Sequence, residues 1–228
     1  MELSANSCFV LSAVLFAFGS FSLKWTRNNT HVPFATIPLI LSVQQFSQGW
    51  LWLALTQKDE SIPGDISKYI FLVCSQVLWP LWVPFCLRMM ERDEKRRRML
   101  NMLCGLGILT AFALTVRLFF FNIEPRISGD HIVYDFNNAG TFNWLSNALY
   151  FIVCTIPFFV SGIKRMSAIG YLQLASFFVT VIFYGERDVV PVWGYFSLLI
   201  SMMVVMVIIT LPRISNRAFA RRRAGTYF

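Results

Sequence analysis

Long apolar blocks almost free of charge, separated by polar connections, set the pattern of this chain. Seven blocks stand out, at about 4–23, 34–56, 69–90, 99–121, 143–163, 167–185 and 190–211. Each is near the roughly 20 apolar residues that a membrane-spanning helix requires. They run as continuous apolar stretches, without the 3.6-residue alternation of a half-buried soluble helix. The pattern predicts an all-α membrane protein: a seven-transmembrane-helix bundle formed as a single domain over residues 1–212, with a basic cytoplasmic tail at 213–228. The last three blocks are joined by "GIKRMS" and "GERDVVP", links short enough to force their helices to pack antiparallel. The one long connection, 122–142, contains "RISGDHIVYDF". Its Ser-Gly-Asp turn, followed by an alternating run, predicts a small hairpin lying over one membrane face.

Composition reinforces this picture. The chain is 56% hydrophobic and 14% charged, well below the charged share of about 25% in soluble domains. A net charge of +8 in so apolar a chain reads as a topology signal and as contact with anionic lipid headgroups, not as a nucleic-acid surface. One side of the predicted bundle holds Lys24, Arg27, Arg88, Arg92, Lys95, Arg96, Arg97, Arg98, Lys164, Arg165, Arg213, Arg217, Arg221, Arg222 and Arg223. The other holds only Lys58, Lys68, Arg117, Arg126 and Arg187. The richer side is expected to be cytoplasmic, which puts the N-terminus outside and the C-terminus inside a multi-pass protein of the inner (plasma) membrane. The start "MELSANSCF" has no basic residue before its apolar run and no cleavage motif after it, so the first helix is expected to be retained. The sequon "NNT" at 28–30 falls on the cytoplasmic side and is discounted. Cys8, Cys74, Cys86, Cys104 and Cys154 form no CxxC pair and flank no histidine, so they are expected to be buried reduced thiols. No metal or cofactor is expected.

The informative residues are the polar ones inside the blocks. "VQQFSQGWLW" at 43–52 places Gln44, Gln45 and Gln48 on one face of the second helix through i,i+3 and i,i+4 spacing. Glutamine amides are costly in hydrocarbon unless something bonds them. Gln76 falls on the third helix, Asn143 and Asn147 open the fifth, Tyr184 ends the sixth, and Trp193 and Tyr195 begin the seventh. On the predicted topology these groups gather in the outer half, which suggests an outward-facing pocket above a dry cytoplasmic half. In "QVLWPLWVPF", Pro80 and Pro84 remove backbone donors and free the carbonyls of Gln76 and Pro80, predicting a bend near Pro80 with those carbonyls bonded by a neighbour or water. Trp79 and Trp82 are deep enough to wall a cavity, whereas Trp25, Trp50, Trp52, Trp144 and Trp193 suit interfacial belts, Trp52 also capping the glutamine region. Arg117 is expected to snorkel to outer headgroups or to meet an anionic ligand. Two readings stay open for the polar cluster: interhelical packing bonds, worth roughly 0.6 kcal/mol each, or a ligand site.

Several stretches resemble an uncharacterised bacterial integral-membrane family of unknown function: "ELSANSCF", "PLILSVQQFSQGWLWL", "WPLWVPF" and "IVYDF". Members of that family typically begin Met-Cys-Phe-Ser-Ala and carry Gln-Gln-x-x-Glu-Gly-x-x-Trp in the second helix. Gln44, Gln45, Gly49 and Trp52 match the second element. Glu2 replaces the expected cysteine, and Gln48 replaces the glutamate, removing a group able to change charge. The resemblance implies a membrane bundle and no established chemistry.

Better-understood seven-helix classes fit poorly. No lysine lies in 190–211 to hold retinal. His31 and His131 are the only histidines, too few for a zinc amidohydrolase. Three-plus-one-plus-three sugar transporters would need an internal repeat, and "WPLW" and "VPVW" sit at unmatched depths. A hydrolase would have to use His131, Asp130, Asp135 and Glu124 near Arg117, with no nucleophile motif beside them. The reading that follows is a protein binding a small molecule or lipid in an intramembrane pocket, as a sensor or receptor-like module. Its ligand-binding residues would be Gln44, Gln45, Gln48, Trp52, Gln76, Trp79, Trp82, Arg117, Asn147, Tyr184 and Trp193. A small-solute transporter and then a membrane-embedded hydrolase are the alternatives.

Overall fold

The apolar blocks fold as helices, interrupted where prolines or charges intervene. The computed structural model describes residues 5–57, 63–121, 123–129, 131–136, 140–184 and 196–211. In chain order these form α1 (Ala5–Trp25), a 3-10 turn (Asn29–His31), α2 (Val32–Ala35), α3 (Ile37–Gln57), α4 (Gly64–Leu72), a π-helical stretch (Val73–Leu78), α5 (Trp79–Met90) and α6 (Glu94–Phe120). A hairpin of β1 (Ile123–Ser128) and β2 (His131–Phe136) follows, then α7 (Gly140–Val160), α8 (Met166–Tyr184) and α9 (Ser197–Thr210). Among the described residues, three helices are long and apolar enough to cross a membrane: α1, the continuous rod Gly64–Met90, and α6. Helix α3 matches α1 in length at 21 residues, but Gln44, Gln45 and Gln48 lower its hydropathy.

Two boundaries differ from the hydropathy pattern, each for a local reason. The block at 34–56 breaks at Thr36 into α2 and α3, because Pro33 and Pro38 both lack a backbone donor. The Thr36 hydroxyl instead donates to the Pro33 carbonyl at 2.8 Å. Helix α6 starts five residues before the apolar block, since Asp93 caps it by accepting from the Arg96 amide at 2.9 Å. The charged run Glu94–Arg98 is thus exposed helix.

Helix α1 packs chiefly on α3 and also on α9; α5 lies against α6 and α7, and α8 joins α7 to α9. The α1–α3 seam carries reciprocal serine bonds, Ser12 Oγ to the Ser42 carbonyl (2.9 Å) and Ser42 Oγ to the Ser12 carbonyl (2.8 Å). These satisfy both hydroxyls while the backbones approach closely. One end of the bundle is filled by Leu15, Phe34, Leu87, Leu100, Met166 and Ile208. The other is filled by Cys8, Trp52, Phe71, Leu118, Ile132 and Tyr134. The expected hairpin covers that second end. Its antiparallel register runs from Ile123↔Phe136 to Ser128↔His131, and Gly129 turns it at φ +60, a conformation glycine takes without strain. Ile132 and Tyr134 share a buried face, and the Tyr134 ring stacks on Phe71 with centroids 5.3 Å apart.

The first end gathers most of the described basic residues: Lys24, Arg27, Arg88, Arg92, Lys95 to Arg98, Lys164 and Arg165. Glu91 clips its loops together. One carboxylate oxygen accepts from the amides of Arg92 and Asp93 at 3.0 and 3.1 Å, and the other accepts from the Gly162 amide at 2.7 Å. Glu91→Gln turns one of these oxygens into a donor facing a backbone donor, so it is expected to cost about 1–2 kcal/mol. A thermal melt unchanged from the parent chain would contradict that expectation.

Outward faces are strongly apolar. Phe112, Phe119 and Phe120 on α6 are 69%, 83% and 80% exposed, Ile182 on α8 is 74%, and Val10 on α1 is 66%. Large exposed apolar surfaces mark contacts with a membrane or another protein.

Candidate functional site

Proline chemistry shapes the rod that crosses the bundle centre. The chain meets Pro80 by widening to π-helical turns over Val73–Leu78. In an i→i+5 register, the amide that Pro80 lacks would have met the Ser75 carbonyl. The Tyr150 hydroxyl of α7 donates to that carbonyl at 2.6 Å. The sequence pattern pointed to Gln76 or Pro80 as the freed carbonyl bonded by a neighbour, and the π register moves the bonded one to Ser75. The Pro80 carbonyl, freed in turn by Pro84, lies against Gly107 of α6, where a Cβ would stand 2.2 Å from its oxygen.

Beside this rod lies a cavity of about 70 Å³ among α3, the π-helical rod, α7, α8 and α9. Gln44 enters it from α3 and Trp79 from α5. They bond each other, Trp79 Nε1 donating to Gln44 Oε1 at 3.1 Å. Ser75, Tyr150, Gln173 and Ser197 complete the polar lining. Ser197 is 1% exposed, and among the described residues its hydroxyl has no hydrogen-bond partner.

Of the residues singled out in the sequence, Gln44 and Trp79 therefore line this cavity. Gln45 and Gln48 are each 1% exposed and do not line it. Among the described residues, Gln48 has no partner for either amide atom, and Gln45 Oε1 and Trp52 Nε1 have none either. All three glutamines are thus inside the bundle, with four unbonded polar atoms along one face of α3. Gly49 faces α1, where a Cβ would meet the Phe9 ring at 2.8 Å. Trp52 packs within the apolar end under the hairpin instead of serving an interfacial belt.

Trp82 walls no part of the cavity; its indole donates to the Pro33 carbonyl at 3.0 Å and ties α5 to α2. Arg117 does not snorkel. It is 2% exposed, and its guanidinium donates to Gln76 Oε1, joining α6 to the π-helical stretch. Cover from the hairpin end explains why an arginine one turn from a helix terminus is buried. Asn147 and Tyr184 lie on α7 and α8, but their side chains, like all of Trp193, lie outside the described residues. The loop groups weighed for catalysis are spread out. Glu124 pairs with Asp135 near the open end of the hairpin, and His131 sits at the turn, about 13 Å along the strand from Asp135. Asp130 lies outside the described residues.

Sequence reasoning did not select Ser75, Tyr150, Gln173 or Ser197 as site residues. A signal existed for Ser75, five residues before a helical proline, and for Gln173, an amide inside an apolar block. The hydroxyls of Tyr150 and Ser197 carry no such mark, since both residue types are ordinary in apolar helices.

Fold and site together define a bundle of apolar helices, closed at one end by a hairpin and holding polar side chains at its centre. The chain belongs to the Family of unknown function (DUF6629), whose profile matches residues 1–222. No curated protein and no solved structure matches it.

Proposed function

We propose that this chain is a seven-helix protein of the plasma membrane, N-terminus outside and C-terminus cytoplasmic, that binds a small molecule or lipid within its bundle and acts as a sensor or receptor-like module. The observation that carries the reading is the cavity of about 70 Å³ lined by Gln44 and by Ser197, whose hydroxyl is unbonded among the described residues. Exposed phenylalanines on α6 and the concentration of basic residues at one end support the membrane setting. With that end in the cytoplasm, the pocket reaches from the bilayer centre toward the cytoplasmic side. This depth replaces the outward-facing pocket that the polar pattern suggests.

Two experiments test it. Cysteines introduced at Lys95 and Ser128 are expected to react with an impermeant thiol reagent from opposite sides, Lys95 from the cytoplasm. Reaction of both from one side would overturn the topology. Adding the organic extract of the native membrane to delipidated protein is expected to raise its melting temperature, since a ligand at 100 times its Kd contributes about 2.7 kcal/mol. No shift with any extract fraction would remove the binding reading, and substrate flux into proteoliposomes would replace it with transport.

A further inference from the structure

The cavity is graded, and the grading is the same on every helix that builds it. Helix α3 climbs from Ile37 and Leu41 to Gln44. The rod descends from Ser75 to Val83, α7 descends from Tyr150 to Phe158, α8 climbs from Ile169 to Gln173, and α9 descends from Ser197 to Val204. Because neighbouring helices alternate in direction, all five place their polar residue at one level and their apolar residue at the other. The apolar level lies toward the end that carries Phe34, Glu91 and Gly162. From Ile37 to Gln44 the helix rises about 10 Å. Among the described residues, no Asp, Glu, Lys, Arg or His lines the space.

The hydrogen-bonding capacity of the polar level is also definite. Trp79 Nε1 is used on Gln44 Oε1, and the Tyr150 hydroxyl is used on the Ser75 carbonyl. Among the described residues, the Ser197 hydroxyl, 1% exposed, has no partner beside the space. It offers one donor and one acceptor to an occupant, and the Gln44 and Gln173 carboxamides stand at the same level. An ion placed here would lose its hydration with no opposite charge to replace it, whereas a neutral polar group would lose little.

We infer that the pocket takes an uncharged amphiphile, with a hydroxyl, carbonyl or amide at the Gln44–Gln173–Ser197 level and an apolar chain or ring directed toward Val83, Phe158 and Ile169. This inference rests on the pocket reading above and adds the class of ligand and its orientation. Space for about five to seven water-sized groups suits a short chain or a single ring.

The test uses the full chain in lipid nanodiscs and three diazirine probes with the same six-carbon chain, ending in a hydroxyl, a carboxylate or an ammonium. Photolabelling followed by mass spectrometry is expected to place the hydroxyl probe on cavity residues, with competition by unlabelled hexanol. The two charged probes are expected to label there at least about tenfold less. The Ser197→Ala, Gln173→Leu double variant is expected to lose most of the hydroxyl-probe labelling while keeping its gel-filtration profile. Ser197→Thr, which retains the hydroxyl, is expected to keep the labelling. Equal labelling by the charged probes would overturn the neutral class and leave the pocket standing. Hydroxyl-probe labelling that ignores the double variant would overturn the orientation. Absence of labelling by every probe would overturn the pocket reading itself.

Discussion

Gly107→Ala is expected to destabilise the bundle by about 3 kcal/mol, at the upper end of the usual cost of overpacking. The added Cβ would stand 2.2 Å from the Pro80 oxygen and 3.1 Å from its carbonyl carbon. These are backbone atoms of a helix held in place by Tyr150 on the Ser75 carbonyl and by Trp82 on the Pro33 carbonyl. A flexible side chain would swing aside, but a helix backbone has to move as a body. Val153 Cγ1 would also stand 3.3 Å from the added Cβ. The corresponding drop in melting temperature is about 6–12 °C for a chain of this size. Gly105 supplies the control on the same helix. A Cβ there meets nothing within 4 Å, so Gly105→Ala is expected to be neutral or to gain up to about 1 kcal/mol through helix propensity. Equal melting temperatures for the two variants would disprove the close α5–α6 approach.

This contact also marks where local pattern stops being informative. Prolines 80 and 84 announce a disturbed helix, because a missing donor is a property of the residue itself. Which carbonyl is bonded depends on whether the turn before the proline runs in the α or the π register, and that is decided by the neighbours. Tyr150, seventy-five residues away, fits the π register by donating to Ser75. Arg117 teaches the same lesson for depth. One turn from the end of an apolar block, an arginine normally reaches water. Here the end is covered by a hairpin whose Ile132 and Tyr134 pack into the same cluster as Leu118. The hairpin itself was legible, since its turn and alternation lie within a dozen residues. Its position over the helix ends was legible only as lying on one face, because that position is a long-range contact.

The three glutamines were legible as interior, because one polar face on an otherwise apolar helix has nowhere else to go. Their division of labour was not. Gln44 bonds Trp79 at the cavity, whereas Gln45 and Gln48 lie away from it. One spacing rule puts all three on one face, and only the positions of neighbouring helices separate them.

Gln48→Leu is expected to raise the stability of the ligand-free protein by about 1–3 kcal/mol. Both amide atoms of Gln48 are buried without a partner among the described residues, so leucine, of similar volume, removes the desolvation cost and breaks no bond seen there. Gln44→Leu is expected to do the opposite, because it leaves Trp79 Nε1 without its acceptor. Melting curves of the parent, Gln48→Leu and Gln44→Leu chains in one detergent read both effects. A loss of stability on Gln48→Leu would mean that the amide grips a tightly held polar group, and the view of Gln48 as unbonded would be wrong.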